Sequence, residues 1–363
     1  MKLLCVASTL NFPNFTRRAT IEAIWRQNPD TELLMFTGLK TIGKRHVSIT
    51  GLETGLYRFW TPEKLKSTPV ISGIEPLLRK PRCKASMNRF EVVFLTDPNE
   101  YLLLPYLNGQ KVVYLIRDPN VLQSQKNHAK EKVILQRADT VLATSRNLAE
   151  RYLPEYYGFQ HPNIHYWPNT VDLDIWDYDK YQKYSSHEEI FTVGMAGNLG
   201  LKRTDFELLD YLTDQCPEIQ FDIAGNVEPA AFEKTNLKTI FERKNVRYLG
   251  FIPFDDLPKT VMKWKSGLII EAQNEYASYM HHNKIYQYLA LGKPVVVLRT
   301  HADYDNYPEP VYVCHTKEEY SKRLKQLSES NVSMQSVQMA IALARENSNE
   351  MRAQQFFSAI SQK

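Results

Sequence analysis

His281-His282-Asn283-Lys284-Ile285-Tyr286-Gln287-Tyr288-Leu289-Ala290-Leu291-Gly292-Lys293-Pro294 is the stretch on which the reading of the fold turns. Asn283 to Ala290 carries apolar residues at helical spacing and follows a polar loop, Glu271 to His282. Gly292-Lys293-Pro294 ends the helix and turns into Val295 to Leu298, an apolar run of strand length. Lys284 and Gln287 lie three apart and share one helix face. Asn283 stands where an N-cap is expected. A cation at Lys284 opposes the helix dipole, which favours anions at this end. The placement makes better sense if a phosphate supplies the opposite charge; an ordinary surface helix is the plain alternative.

The same rhythm of apolar strand, polar turn and amphipathic helix extends over the chain. Strands are expected at Lys2–Ala7, Glu32–Phe36, Val92–Leu95, Lys111–Ile116, Thr140–Ala143 and Asn163–Trp167, with helices at Arg17–Gln27 and Asn147–Tyr152. The series restarts at Glu189–Ala196 and continues through Gln220–Ala224, Val246–Leu249, Gly267–Ile270 and Pro294–Leu298. Strands alternating with helices imply parallel sheets with right-handed crossovers. The expected fold class is therefore α/β, with two Rossmann-like doubly wound domains. Residues 1–170 form the first and 190–334 the second, with a linker at 171–189 and a helical tail at 335–363 that packs back on the first domain.

At 363 residues the chain suits two domains of ordinary size, and 43% hydrophobic with 24% charged is the balance of a globular protein. No apolar run reaches the length of a membrane-spanning helix. Met1-Lys2-Leu3-Leu4-Cys5-Val6-Ala7 is too short for a signal peptide and reads as a buried strand, so a cytoplasmic location is expected. Cys5, Cys83, Cys216 and Cys314 are far apart, which argues against a metal cluster or a disulfide framework. Up to Asn169 there are 23 Lys+Arg against 14 Asp+Glu, and beyond it 22 against 27. The basic half is expected to meet something anionic. Its densest cluster is Arg79, Lys80, Arg82 and Lys84, followed by Arg89; Lys40, Lys44 and Arg45 form another. Phosphate-bearing lipid or an anionic membrane surface is the expected partner, with a plain solvated loop as the alternative. Nucleic acid is not, for want of aromatic interleaving or a binding motif.

In open α/β sheets ligands gather at the carboxyl ends of strands. Two turns of the second half lie there. Gly197-Asn198-Leu199-Gly200-Leu201-Lys202-Arg203 lets backbone approach a ligand and adds two cations, Lys202 and Arg203, although a plain tight turn fits it too. Its glycine spacing is not the dinucleotide pattern. Val246-Arg247-Tyr248-Leu249-Gly250-Phe251-Ile252-Pro253 ends in a rigid corner whose backbone suits a base edge.

Together with Ile223-Ala224-Gly225 and Tyr288-Leu289-Ala290-Leu291-Gly292-Lys293-Pro294-Val295-Val296, these elements resemble the donor-binding half of GT-B glycosyltransferases, especially the retaining family 4 group. The resemblance covers about residues 190 to 300. It implies two domains facing a cleft, a nucleotide-sugar donor, a lipid-linked or saccharide acceptor and no cofactor. In family 4, two glutamates eight apart flank the donor; here Tyr279 and Gln287 stand in their places. A Lys three before a Gln, with Asn11-Phe12-Pro13-Asn14-Phe15-Thr16-Arg17 near the start, is instead similar to the xanthan-type glucuronosyltransferases, inverting enzymes that use UDP-glucuronate. By that resemblance Lys284 holds the donor phosphate or carboxylate and Gln287 the ribose or uracil. Tyr279, His282 and Asn283 complete the donor set, Glu271 takes sugar hydroxyls, and Asn14 and Arg17 serve the acceptor side.

An inverting transfer needs a carboxylate to take the acceptor's proton. Asp97 and Asp118 each end an expected strand and each precedes proline, a pair that equally suits a turn. Asp118 is preferred, because its strand lies nearer the expected sheet centre and Arg117 favours the ionised form. No metal is expected, since the fold balances a leaving diphosphate with cationic side chains and helix N-termini, and no Asp-x-Asp pair occurs. A retaining transferase and a non-catalytic nucleotide-sugar-binding protein remain as alternatives.

Overall fold

The computed structural model describes residues 1–7, 17–35, 87–185, 190–330 and 332–361. Asn14, Lys40, Lys44, Arg45, Arg79, Lys80, Arg82, Cys83 and Lys84 lie outside the described residues. The chain divides into two compact units, Met1–Pro168 with Arg352–Lys363, and Asn169–Met351.

The first unit holds six parallel strands: β1 (Leu3–Ala7), β2 (Thr31–Met35), β3 (Val92–Leu95), β4 (Lys111–Ile116), β5 (Thr140–Ala143) and β6 (Ile164–Tyr166), ordered β2-β1-β3-β4-β5-β6. β1, β3 and β5 are buried along their whole length, the reason they read as unbroken apolar runs. The expected helix at Asn147–Tyr152 is a π-helical turn, Leu148–Tyr152, which runs on into a short α-helix, Leu153–Tyr157.

The second unit repeats the plan with β7 (Thr192–Ala196), β8 (Gln220–Ala224), β9 (Val246–Gly250), β10 (Ser266–Ile269), β11 (Val295–Leu298) and β12 (Val311–Cys314). Their parallel order is β12-β11-β10-β7-β8-β9. The order reverses between β7 and β10, so their carboxyl ends open the crevice where such sheets bind ligands. Strand β12 was not anticipated: Pro308 and Pro310 crowd its start and mask a four-residue run.

At the reversal two glycines face each other in register, Gly194 on β7 and Gly267 on β10. A Cβ on Gly194 would lie 2.0 Å from the Trp264 ring, and one on Gly267 2.2 Å from the Tyr288 ring. The two rings meet edge to face, 5.8 Å between centroids. Tyr288 belongs to the helix Asn283–Ala290, and its hydroxyl oxygen accepts the Ala196 N–H at 2.9 Å. The glycine pair thus lets that helix sit down on the sheet beside the crevice.

The tail is two helices. Met334–Glu346 places Ala340 and Ala344 in the core of the second unit. Asn349–Ser361 enters the first unit at Arg352, where Phe356 packs on Phe94 and the Arg352 carbonyl accepts the Trp167 Nε1–H at 3.1 Å.

Candidate functional site

The site builds up from the strand ends of the second unit. β7 stops at Ala196 and the chain turns at Gly197, whose φ of +147° only glycine adopts easily. A Cβ there would lie 2.1 Å from Lys284 Nζ. Behind it, Gly225 after β8 has φ +140°, and a Cβ on it would meet the Gly197 carbonyl oxygen at 1.8 Å. The Gly197 N–H donates to the Ala224 carbonyl and the Gly225 N–H to the Gly250 carbonyl, at 2.8 and 2.7 Å. Three successive strand ends are therefore laced together, and the Lys284 ammonium lies against their bare backbone. Gly225 had no place in the sequence-derived site. Its signal was a second glycine ending the strand next to the first.

Lys284 is half-buried in the first turn of Asn283–Ala290. Among the described residues no group makes an ion pair or hydrogen bond with its ammonium. Burial pushes its pKa down to about 8, the Arg203 charge adding to the effect and Glu271 opposing it. Arg203 is exposed and donates to the Tyr276 hydroxyl at 3.1 Å. Lys202 and Asn198 are exposed on the same turn. Gln287 is buried one helical turn beyond Lys284, while Phe251, past the positive-φ Gly250, is 66% exposed.

Several expectations need correction. Asn283 is the first residue of its helix, and His282 holds the N-cap position without a side-chain cap. The His282 ring turns instead to Glu271, with Nε2 at 2.6 Å from Oε1. Glu271 itself is 2% exposed, and its Oε2 accepts from Thr300 Oγ1 at 2.7 Å and the Tyr304 hydroxyl at 2.9 Å. With both oxygens engaged in the interior, it holds His282 at the start of the helix. Burial acts to raise its pKa, but His282, by charge and hydrogen bond, His301 and Thr300 hold it below the ordinary carboxylate value. His301 is buried beside it, its ring pushed down to about 4, chiefly by burial. Tyr279 is fully buried and offers no surface to a ligand. Asn169 Nδ2 donates to the His281 carbonyl at 2.5 Å and steadies the loop that leads to the helix.

In the first unit Asp97 caps the 3₁₀-helix Pro98–Tyr106, accepting from Asn99 N at 2.8 Å in a capping box with Glu100. This is the turn role its Asp-Pro pair also suited. β3 and β4 are both central, so strand position does not separate Asp97 from Asp118. Asp118 follows β4, is 8% exposed and accepts from Arg117 Nε at 2.8 Å. Arg17, expected on the acceptor side, is buried. Its pKa is pushed down to about 9 by burial and by the charges of Arg117 and Arg352, with Asp118 opposing. No helix among the described residues is long and apolar enough to cross a membrane, and none of their side chains forms a group of three or more metal-ligating residues.

No family model and no curated protein sequence matches the chain. Solved structures define its class: the chain has the two-domain α/β GT-B fold of glycosyltransferases. Among them, HepE of Anabaena in complex with UDP shares 14% identity over 99% of this chain and 100% of that one, with a TM-score of 0.72. Sucrose-phosphate synthase of Thermosynechococcus elongatus has 12% identity over 99% and 98% at a TM-score of 0.72. The lipopolysaccharide outer core galactosyltransferase WaaB has 12% over 99% of both chains at 0.69.

Proposed function

We propose that this protein is a glycosyltransferase that moves a hexose or hexuronate from a UDP-sugar to a lipid-linked or saccharide acceptor with inversion. The observation that carries the reading is the Lys284 ammonium, held against the Gly197 turn at the fold's ligand-binding strand ends. HepE, of the same fold, has been solved with UDP and with UDP-glucose, which supports a uridine diphosphate donor here. In this reading Lys284 and Arg203 neutralise the leaving diphosphate, Phe251 and the Gly250 corner receive the base, and Gln287 the ribose. Asp118 takes the proton of the acceptor hydroxyl as that oxygen attacks the anomeric carbon and the bond to UDP breaks.

Inversion is favoured because Tyr279 and Gln287 stand where retaining relatives carry glutamates. Similarity to xanthan-type glucuronosyltransferases makes UDP-glucuronate the first donor to try. The basic N-terminal half suits a phosphate-bearing lipid acceptor at the cytoplasmic face of a membrane. The test is calorimetry with UDP, UDP-glucose, UDP-galactose and UDP-glucuronate, then NMR of the anomeric product formed with a membrane-lipid extract. Failure of every uridine nucleotide to bind refutes the reading, and retained configuration refutes inversion. Slow UDP-sugar hydrolysis that survives in Asp118→Asn removes Asp118 as the base.

A further inference from the structure

A second buried carboxylate, Glu131, lies in the first unit on the helix Lys126–Arg137, fully shielded from solvent. Its Oε1 accepts from the Tyr114 hydroxyl at 2.6 Å and Asn120 Nδ2 at 2.7 Å. Its Oε2 accepts from the Tyr157 hydroxyl at 2.6 Å and the Tyr152 hydroxyl at 2.9 Å. The Tyr152 oxygen in turn accepts the Val121 N–H at 3.0 Å. These donors come from β4, from the segment that follows it, and from the π-helical turn and short helix after β5. π-Helical turns are uncommon and cluster at functional places, and this one delivers Tyr152.

Asn120 and Val121 come two and three residues after Asp118. On the other side, Thr144 Oγ1 donates to the Arg117 carbonyl at 2.8 Å. The segment bearing Asp118 is thus held at both ends, and Glu131 anchors its downstream end twice, through Asn120 and through Tyr152. Burying a carboxyl is costly, and burial raises its pKa against four hydrogen bonds that lower it. Satisfied networks of this kind stiffen what they touch.

We propose that Glu131 is a positioning residue for the transfer, fixing through Asn120 and Tyr152 the loop on which Asp118 receives the acceptor's proton. The proposal rests on the reading of Asp118 as the base. Tyr152 and Tyr157 allow the two claims to be separated. Each donates one bond to the same carboxylate oxygen, but only Tyr152 also accepts from the loop backbone.

The experiment compares Tyr152→Phe, Tyr157→Phe, Glu131→Gln and Asp118→Asn in the full chain. Turnover is followed as UDP release from UDP-glucose and UDP-glucuronate with a membrane-lipid extract, and amide hydrogen exchange is followed across 117–123. Tyr152→Phe is expected to lower kcat about tenfold, with KM for the donor within about twofold, and to speed exchange in that segment. Tyr157→Phe is expected to stay near wild type in both. Glu131→Gln keeps the shape but replaces an acceptor with a donor, and is expected to match or exceed the Tyr152→Phe defect. If Tyr152→Phe and Tyr157→Phe behave alike, the network only supports packing and the proposal is overturned, even if Glu131→Gln fails to fold. If Asp118→Asn turns over like wild type while Tyr152→Phe still loosens the loop, the base assignment falls and Glu131 is left as a loop anchor without a part in the transfer.

Discussion

Replacing Lys284 by glutamine tests the donor site directly. In the free protein the ammonium is pushed down to about 8 by burial and by Arg203. Below that pH the folded chain carries the charge in a setting less favourable than the unfolded chain gives it. From about 8 to the ordinary lysine value the unfolded chain binds the extra proton, so stability rises with pH across that window. A diphosphate reverses the preference, because it needs the charged form. Its affinity is then full below pH 8 and falls about tenfold per unit above it, so UDP binds roughly tenfold more weakly at pH 9 than at pH 7, about 1.4 kcal/mol. Truncating one partner of a partly buried charge pair costs about 2 kcal/mol or more, so Lys284→Gln loses on the order of 30-fold in UDP affinity at pH 7. The variant also loses the alkaline dependence, apart from that of UDP itself. Calorimetry from pH 7 to 9.5, run in parallel on both proteins, reads the difference between the two curves. Parallel curves, or UDP binding to Lys284→Gln within twofold of wild type, refute the assignment of the diphosphate to this lysine.

Three further outcomes follow from the geometry. Gly197→Ala puts a Cβ at φ +147° onto the Lys284 ammonium, so UDP binding falls as in the lysine variant and thermal unfolding shows a loss of about 1–3 kcal/mol. Tyr288→Phe strands the buried Ala196 N–H; chemical unfolding is expected to show a loss of about 1–3 kcal/mol, and an unchanged midpoint contradicts the pinning of the helix to β7. His301 is buried neutral with its pKa lowered to about 4, so the unfolded chain binds its proton first as pH falls from 6.5, and stability drops towards pH 4 by on the order of 3 kcal/mol. The Glu271 carboxyl, also lowered, adds a loss of the same sign at more acid pH. Urea unfolding at pH 7, 5.5 and 4.5 that shows no such slope excludes the buried neutral ring.

Much of the fold was legible because parallel strands buried on both faces leave unbroken apolar runs, and the glycines ending β7, β8 and β9 mark where backbone comes close to backbone. Lys284 stands out in the sequence for an electrostatic reason, a cation set at the wrong end of a helix dipole. The buried setting of Glu271 was hidden for an equally physical one. An acid ending a strand looks like a ligand group, and nothing local shows that His282, Thr300 and Tyr304, at separations of 11, 29 and 33 residues, converge on it. The burial of Arg17, assigned to the acceptor side by resemblance, was hidden for the same reason, since only the fold brings Arg117 and Arg352 to it. The Gly194–Gly267 pair was hidden because register between strands 73 positions apart is invisible in a linear pattern. With both Glu271 oxygens hydrogen-bonded inside the protein, the charged groups around the Gly197–Arg203 turn include the cations Lys284, Lys202 and Arg203 and the exposed Glu228 carboxylate beside Gly200. On the proposed reading these cations serve the diphosphate. On the proposed reading, with Gln287 given to the ribose, selectivity among sugars falls to neutral side chains such as Asn198, and exchanging Asn198, rather than Glu271, is expected to change the donor.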